Sequence, residues 1–196
     1  MQFSERWLRT LVDPALSTEA LSHLLTMSGL EVESCEPVGG TIQGVVVGLI
    51  RTVDKHPNAD RLKVCQVEVG AAAPLTIVCG APNAAAGMKV PCALVGARLP
   101  GIEIKPVTMR GVESRGMLVS EFELQLSDDH DGIIELPADA PVGANYAAWA
   151  KLDDPVFEIK LTPNRADCTG VHGIARDLAA AGLGKLKENA ITPISG

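Results

Sequence analysis

From Thr41 to about Val119 the sequence is a succession of short apolar runs, split by glycine, proline or a polar turn: IQGVVVGLIRTV, LKVCQVEV, PLTIVCG, KVPCALVGARL and IEIKPVTMRGV. A helix cannot run through such punctuation, because an interior proline costs about 3 kcal/mol and a glycine about 1 kcal/mol relative to alanine. In LKVCQVEV apolar residues alternate with polar ones, as on a half-buried strand. Five strand-length segments with turn signals between them predict a small closed barrel or sandwich. After them, Ser120 and Glu123 stand at capping-box spacing, which predicts a short helix in SEFELQL. SDDHDGIIELP reads as a polar turn leading into a strand.

The flanks have a different texture. Residues 17–29, STEALSHLLTMSG, predict a helix capped by Ser17 or Thr18, with Leu21, Leu24 and Leu25 on one face and Gly29 at its end. LEVESC then alternates as a strand, and Gly39-Gly40 marks a boundary. Near Leu152 the helix-and-strand texture returns. PVFEIKLTP predicts a strand stopped by Pro163, and NRADCTGVHGIARDLAAAGLG a helix with Val171, Ile174, Ala175 and Leu178 on its apolar face. Asp167 or Thr169 is expected to cap it and Gly182 to end it. The fold class is therefore α+β: an all-β module, 40–151, inserted into a discontinuous domain made of 1–39 and 152–190. The tail, 191–196, is expected to lead into further C-terminal domains.

The chain has no run of about 18 apolar residues, as a membrane-crossing helix needs, and its charged N-terminus lacks the apolar core of a signal peptide. Cys35, Cys65, Cys79, Cys92 and Cys168 form no C-x-x-C pair and mostly sit in apolar runs, so buried free thiols of a reducing compartment are expected. No catalytic or metal constellation emerges. GAPNAAAGMK has six residues between its glycines and no Gly-Lys-Ser/Thr. SDDHDGIIELPA would place Ala138 where a calcium loop needs a bidentate glutamate. The histidines show no H-E-x-x-H spacing, and G-x-S-x-G is absent.

Charge is segregated. The whole chain carries −7, yet residues 51–115 hold nine Lys/Arg against five acids, and 116–150 hold seven acids and no Lys or Arg. The cations gather at HPNADRLKVCQVEVG, where Pro57, Asn58 and Asp60 make a turn bordered by Arg51, Lys55, Arg61 and Lys63. His56 can add charge to that corner or pack against the turn.

HPNADRLKVCQVEVG, IVCGAPN, GMKVPCALVGARLP, MRGVESRGMLVSEFELQL and DDHDGIIELP together resemble the tRNA-binding OB-fold of tRNA-handling proteins, over roughly residues 40–150. The flanks WLRTLVD, LTMSGLEVES and EIKLTPNRADCTGVHGIARDLAA resemble the two halves of the N-terminal domain of bacterial phenylalanyl-tRNA synthetase β subunits, which the OB domain splits. A free-standing tRNA-binding OB protein would lack these flanks. The resemblance implies a five-stranded OB barrel, tRNA as a partner and a cytoplasmic heterotetramer of two α and two β subunits. It implies ATP and Mg2+ for the complete enzyme and no cofactor in this fragment. The aminoacylation site would lie in the α subunit. The editing domain, the magnesium-ligand carboxylates and the anticodon-binding domain would lie C-terminal to the matched region.

An OB barrel grips single strands with a basic groove and aromatic platforms. The candidate RNA-binding residues are Arg51, Lys55, His56, Asn58, Arg61 and Lys63 at the first turn, with Lys105, Arg110 and Arg115 flanking the later strands. The aromatics of the block, Phe122, Tyr146 and Trp149, all follow the basic stretch. Phosphate contact without stacking predicts weak, salt-sensitive binding that reads little sequence. The rival reading makes the barrel a spacer whose acidic stretch, 121–139, meets another protein.

Overall fold

The computed structural model describes residues 1–40 and 42–187; Thr41, the end of the 152–190 segment and the 191–196 tail lie outside the described residues. In chain order the elements are β1 (Gln2–Ser4), α1 (Glu5–Leu11), α2 (Thr18–Met27), β2 (Glu31–Pro37), β3 (Gln43–Lys55), β4 (Lys63–Glu68), β5 (Leu75–Cys79), β6 (Lys89–Leu99), β7 (Ile102–Glu103), β8 (Val107–Met109), β9 (Val112–Ser114), β10 (Gly116–Leu118), α3 (Tyr146–Trp149), β11 (Pro155–Lys160), a 3-10 helix (Pro163–Cys168) and α4 (Val171–Ala180). They fall into two compact units, Met1–Val38 with the chain from Asp154 onward, and Gly39–Asp153.

The first unit is a three-stranded antiparallel sheet, ordered β1-β11-β2, covered by helices. Ser4 caps α1 by accepting from Trp7 N, and Ser17 caps α2 by accepting from Ala20 N. Gly29, at φ +86°, ends α2 in the left-handed conformation that glycine adopts without penalty. The core joins Leu8, Leu21, Leu25, Phe157, Ile159, Ile174 and Leu178, each worth about 1.5–3 kcal/mol when fully removed from water. Phe3 stacks on Phe157 at 5.4 Å between ring centroids. The expected caps of α4 are otherwise engaged. Asp167 takes hydrogen bonds from Arg165, Thr169 Oγ1 donates to Ala166 O, and Gly170 occupies the cap position without a side-chain bond. Gly173 permits this start, since a Cβ there would lie 1.8 Å from Asp167 O.

The second unit is one curled antiparallel sheet, ordered β10-β6-β3-β4-β5, with β7 on the outer end of β6 and a separate β8-β9 hairpin. Its centre is the 13-residue β3, which pairs β6 over Gln43–Leu49 and β4 over Leu49–Lys55. Two irregularities let one strand serve both neighbours. Arg51 is extra in the register between Ile50 and Thr52, and Gly44, at φ +74°, sits between Gln43 and Val45. Such bulges bend a strand and raise its twist. Gly44 also meets Ala97 so closely that a Cβ would stand 2.9 Å from its Cα.

The curl brings the two edges together. Arg115 N donates to Thr76 O at 2.9 Å, and Val78 N donates to Ser114 Oγ at 3.0 Å. The regular ladder nevertheless stops at β5 and β10. Ile50, Val67, Ile77, Val90, Cys92 and Leu118 pack on one side; Val45, Val47, Ala93, Leu99, Leu136 and Tyr146 form a second core.

Three local expectations are corrected. IEIKPVTMRGV is not one strand: Pro106, which lacks a donor, separates β7 from β8, and Arg110-Gly111 turns the chain into β9. SEFELQL is a turn and not a helix. The Glu123 carboxylate accepts from both Ser120 N and Ser120 Oγ, so the serine hydroxyl does not cap the turn, and Gln125 leaves helical space at φ +54°. IIELP forms no strand, only an isolated bridge from Leu136 to Lys89.

Candidate nucleic-acid interface

The basic corner is built from two loops. The first joins β3 to β4. His56 N donates to Leu62 O, and Leu62 N to Ala59 O, which closes the turn behind Pro57. The second is the β8-β9 hairpin. Arg110 and Gly111 both have positive φ, +46° and +93°, as the two-residue turns that match strand twist require. The hairpin therefore presents Arg110 at its tip, with a non-glycine residue held in left-handed space.

His56 joins the two loops. It is 5% exposed. Its Nδ1 accepts from Asn58 N at 3.1 Å, which leaves Nε2 as the donor to Met109 O at 3.0 Å. Asn58 Nδ2 adds a bond to Arg110 O at 3.0 Å. Pro57, Asn58, Asp60, Arg61, Leu62 and Arg110 consequently line one open cavity of about 540 Å³. Arg61 and Arg110, 49 positions apart in sequence, share that cavity.

The other candidates separate by what holds their charge. Arg51 pairs with Glu68, its Nε 2.7 Å from the carboxylate. Lys105 lies 3.7 Å from Glu103, and Arg115 lies 3.3 Å from Glu113. Lys63 turns inward, its Nζ 2.8 Å from Pro82 O and 2.9 Å from Ala84 O. Lys63 is thus half-buried, unlike the exposed Lys55, its directly opposite partner across β3 and β4. Among the described residues, Lys55, Arg61 and Arg110 are exposed and form no ion pair. His56 and Asn58 act on the loops themselves. Sequence spacing could not join Arg61 to Arg110, because the signal is a buried histidine bonding to a backbone carbonyl.

The adjoining cavity, about 390 Å³, includes Leu62, Cys79, Met109, Met117 and His130. Burial pushes the Cys79 thiol up from its ordinary range, so it is not an activated nucleophile. Tyr146 is buried, which removes it from the role of an exposed stacking platform, and the half-buried Trp149 packs against it at 6.3 Å between ring centroids. No helix among the described residues is long and apolar enough to cross a membrane.

Residues 45–145 match the family described as "Putative tRNA binding domain". The chain is 60% identical over 180 residues to the phenylalanine–tRNA ligase beta subunit of Aromatoleum aromaticum, covering 92% of this chain and 23% of that protein. It is 56% identical over 195 residues to the protein of the same name from Thiobacillus denitrificans, covering 100% of this chain and 25% of that one. A MetRS related protein from Pyrococcus horikoshii, of known crystal structure, is 29% identical over 53% of this chain and 87% of its own, with a TM-score of 0.40. The chain thus spans about a quarter of the length of the curated relatives it matches.

Proposed function

The chain belongs to the tRNA-binding domain family, and from that membership we propose that it is the N-terminal region of a phenylalanine–tRNA ligase β subunit, supplying a non-catalytic handle for tRNA. The identity to β subunits over nearly the whole chain supports this. The observation that carries the handle is the cavity shared by Arg61 and Arg110, with Lys55 on the strand leading into the same turn.

In this reading the curled sheet is an OB barrel, its edges bridged by Arg115 N and Ser114 Oγ. Residues 40–151 are the binding module, and 1–39 with 152–190 one discontinuous domain. Lys55, Arg61 and Arg110 meet backbone phosphates. Arg51, Lys63, Lys105 and Arg115 contribute less, because each is already neutralised or bonded. The complete enzyme would be a cytoplasmic assembly of two α and two β subunits that joins phenylalanine to its tRNA with ATP and Mg2+.

The residues described here do not fit a Mg2+ site. Asp167, Cys168 and Asp177 lie together, but Arg165 donates to both carboxylates and holds the Asp167 carboxyl below its ordinary range. A guanidinium in the cluster and a thiol among its groups are wrong for a hard cation that takes oxygen ligands. No Mg2+-dependent step is therefore assigned to this cluster.

The test is a salt titration of tRNA binding. Three phosphate contacts at about 0.7–0.9 released counterions each give a slope of log K against log salt of about −2 to −3. Different tRNAs should share that slope, since phosphate contacts do not read bases. No salt dependence, or a large preference for one tRNA, counts against the handle.

A further inference from the structure

Beside the basic corner lies a groove of opposite character. It is an open cavity of about 590 Å³ whose apolar lining includes Ile102, Met117, Phe122 and Leu126, within the size range of ligand clefts. Three of these are large hydrophobics left open to solvent: Ile102 is 43% exposed, Phe122 54% and Leu126 37%. Isolated exposed apolar residues are ordinary, but a contiguous set rimmed by polar groups marks an interaction surface.

Two carboxylates, Glu123 and Asp128, line the groove itself, and three more, Glu121, Asp129 and Asp131, line a neighbouring cavity on the same turn. Glu121, Glu123, Asp128, Asp129 and Asp131 fall within 11 residues that contain no Lys or Arg. Among the described residues none of these five forms an ion pair, whereas Arg51, Lys105 and Arg115 each have an acidic partner. The carboxylates take neutral donors instead: Ser127 Oγ bonds to Glu121 and Ser120 N to Glu123. The turn carrying Phe122 is ordered before any partner arrives. Leu126 N donates to Glu121 O, Phe122 N donates to Asp129 O, and the ring meets His130 edge-on at 5.8 Å. Little ordering entropy would be lost on binding.

We propose that this groove docks a cationic amphipathic segment of a partner protein, apolar side chains seated on Ile102, Met117 and Phe122 and Lys or Arg heads meeting the acidic rim. An RNA strand is disfavoured because its phosphates would face the Glu123 and Asp128 carboxylates, neither of them in an ion pair, with three more acids on the same turn. A basic peptide gains from the same field, which steers encounter and excludes acidic competitors.

The test uses the 196-residue chain and a fluorescent 11-residue leucine/lysine peptide, with a leucine/glutamate peptide of the same pattern as control. The lysine peptide should bind at least tenfold tighter by anisotropy and shift the NMR signals of Ile102, Phe122 and Leu126. Phe122→Ala and Asp128→Lys should each weaken it at least fivefold; if Phe122→Ala fails to fold by circular dichroism, Asp128→Lys decides. Equal binding of the two peptides, or of both folded variants, would reduce the effect to diffuse attraction by the net charge and overturn the proposal. A loss of tRNA affinity in Phe122→Ala would overturn it in favour of a base platform. Loss of concentration-dependent self-association in that variant would overturn it in favour of a second copy of the chain.

Discussion

His56 Nε2 donates to Met109 O at 3.0 Å and thereby ties the β3-β4 turn to a hairpin more than 50 residues away in sequence. Replacing His56 with alanine removes both of its hydrogen bonds, to Met109 O and from the Asn58 amide, together with a buried side chain. Such a loss costs about 1–3 kcal/mol. Urea unfolding should show that loss, and amide exchange at Asn58 should rise well above the global change. A His56→Ala variant as stable and as protected as the parent would show that the staple is dispensable.

Arg110 offers a cleaner separation of stability from binding. Its φ of +46° is unfavourable for a side chain with a Cβ, by about 1–2 kcal/mol. Glycine removes that strain but gives back about 0.4–1 kcal/mol through a freer unfolded chain. Arg110→Gly should therefore be as stable as the parent or up to about 1.6 kcal/mol more stable. The carbonyl that accepts from Asn58 is retained. tRNA affinity should fall and the salt slope flatten by about 0.7–0.9. Unchanged affinity at unchanged fold would remove Arg110 from the interface.

The sequence was most readable where periodicity and capping act locally. Ser17, Gly29, the alternation of β4 and the apolar face of α4 all produce the elements their patterns predict. It was least readable where one residue answers to a distant backbone group. Asp167 and Thr169 have the chemistry of caps, but Arg165 and Ala166 O engage them first. Glu123 has the spacing of a capping box, yet its carboxylate takes both of the Ser120 donors. Lys63 looks like a surface cation in an alternating strand, and only the folded loop reveals the two carbonyls that draw it inward. Charge counting identified the basic region without saying which of its cations were already paired.

Lys55 and Lys63 sit opposite one another, yet they should respond differently to reversal. Lys55→Glu changes an exposed charge and should alter stability by no more than about 0.5 kcal/mol. Lys63→Glu turns a carboxylate toward Pro82 O and Ala84 O and leaves both acceptors without a donor. The cost should be about 1–3 kcal/mol. Thermal unfolding of the two variants side by side checks this; equal melting temperatures would place Lys63 in solvent.

The buried thiols set an alkaline limit. Burial pushes Cys65 up to about 11 and Cys92 up to about 12, from an ordinary 9.0. In the unfolded chain these thiols ionise near the ordinary value. Their contribution is therefore full below pH 9 and is lost as pH rises from there through 11 to 12. Unfolding free energy should decline across that window, and less steeply in Cys92→Ala measured against its own value at pH 8. At pH 8 a thiol reagent should label the native protein slowly at both positions and rapidly in urea. Rapid native labelling of Cys92 would contradict its burial.

Pro37 pairs with Pro155, and Val38 N donates to Asp154 O at 2.9 Å. The chain therefore leaves the first unit on one strand and returns on its antiparallel neighbour. The gap to be closed is the width of a strand pair, about 5 Å, which a short flexible linker spans at small entropic cost. The unit's own core, from Leu8 and Leu21 through Phe157 and Ile174 to Leu178, is assembled entirely from residues outside 39–153. Replacing residues 39–153 with a short Gly/Ser linker should leave a folded unit that unfolds cooperatively in urea and retains helical circular dichroism from α1, α2 and α4. Its m-value should fall in proportion to the surface removed, because m follows the area exposed on unfolding. A variant without a cooperative transition, beside an excised 39–153 that has one, would mean that the flanking segments depend on the inserted module to fold.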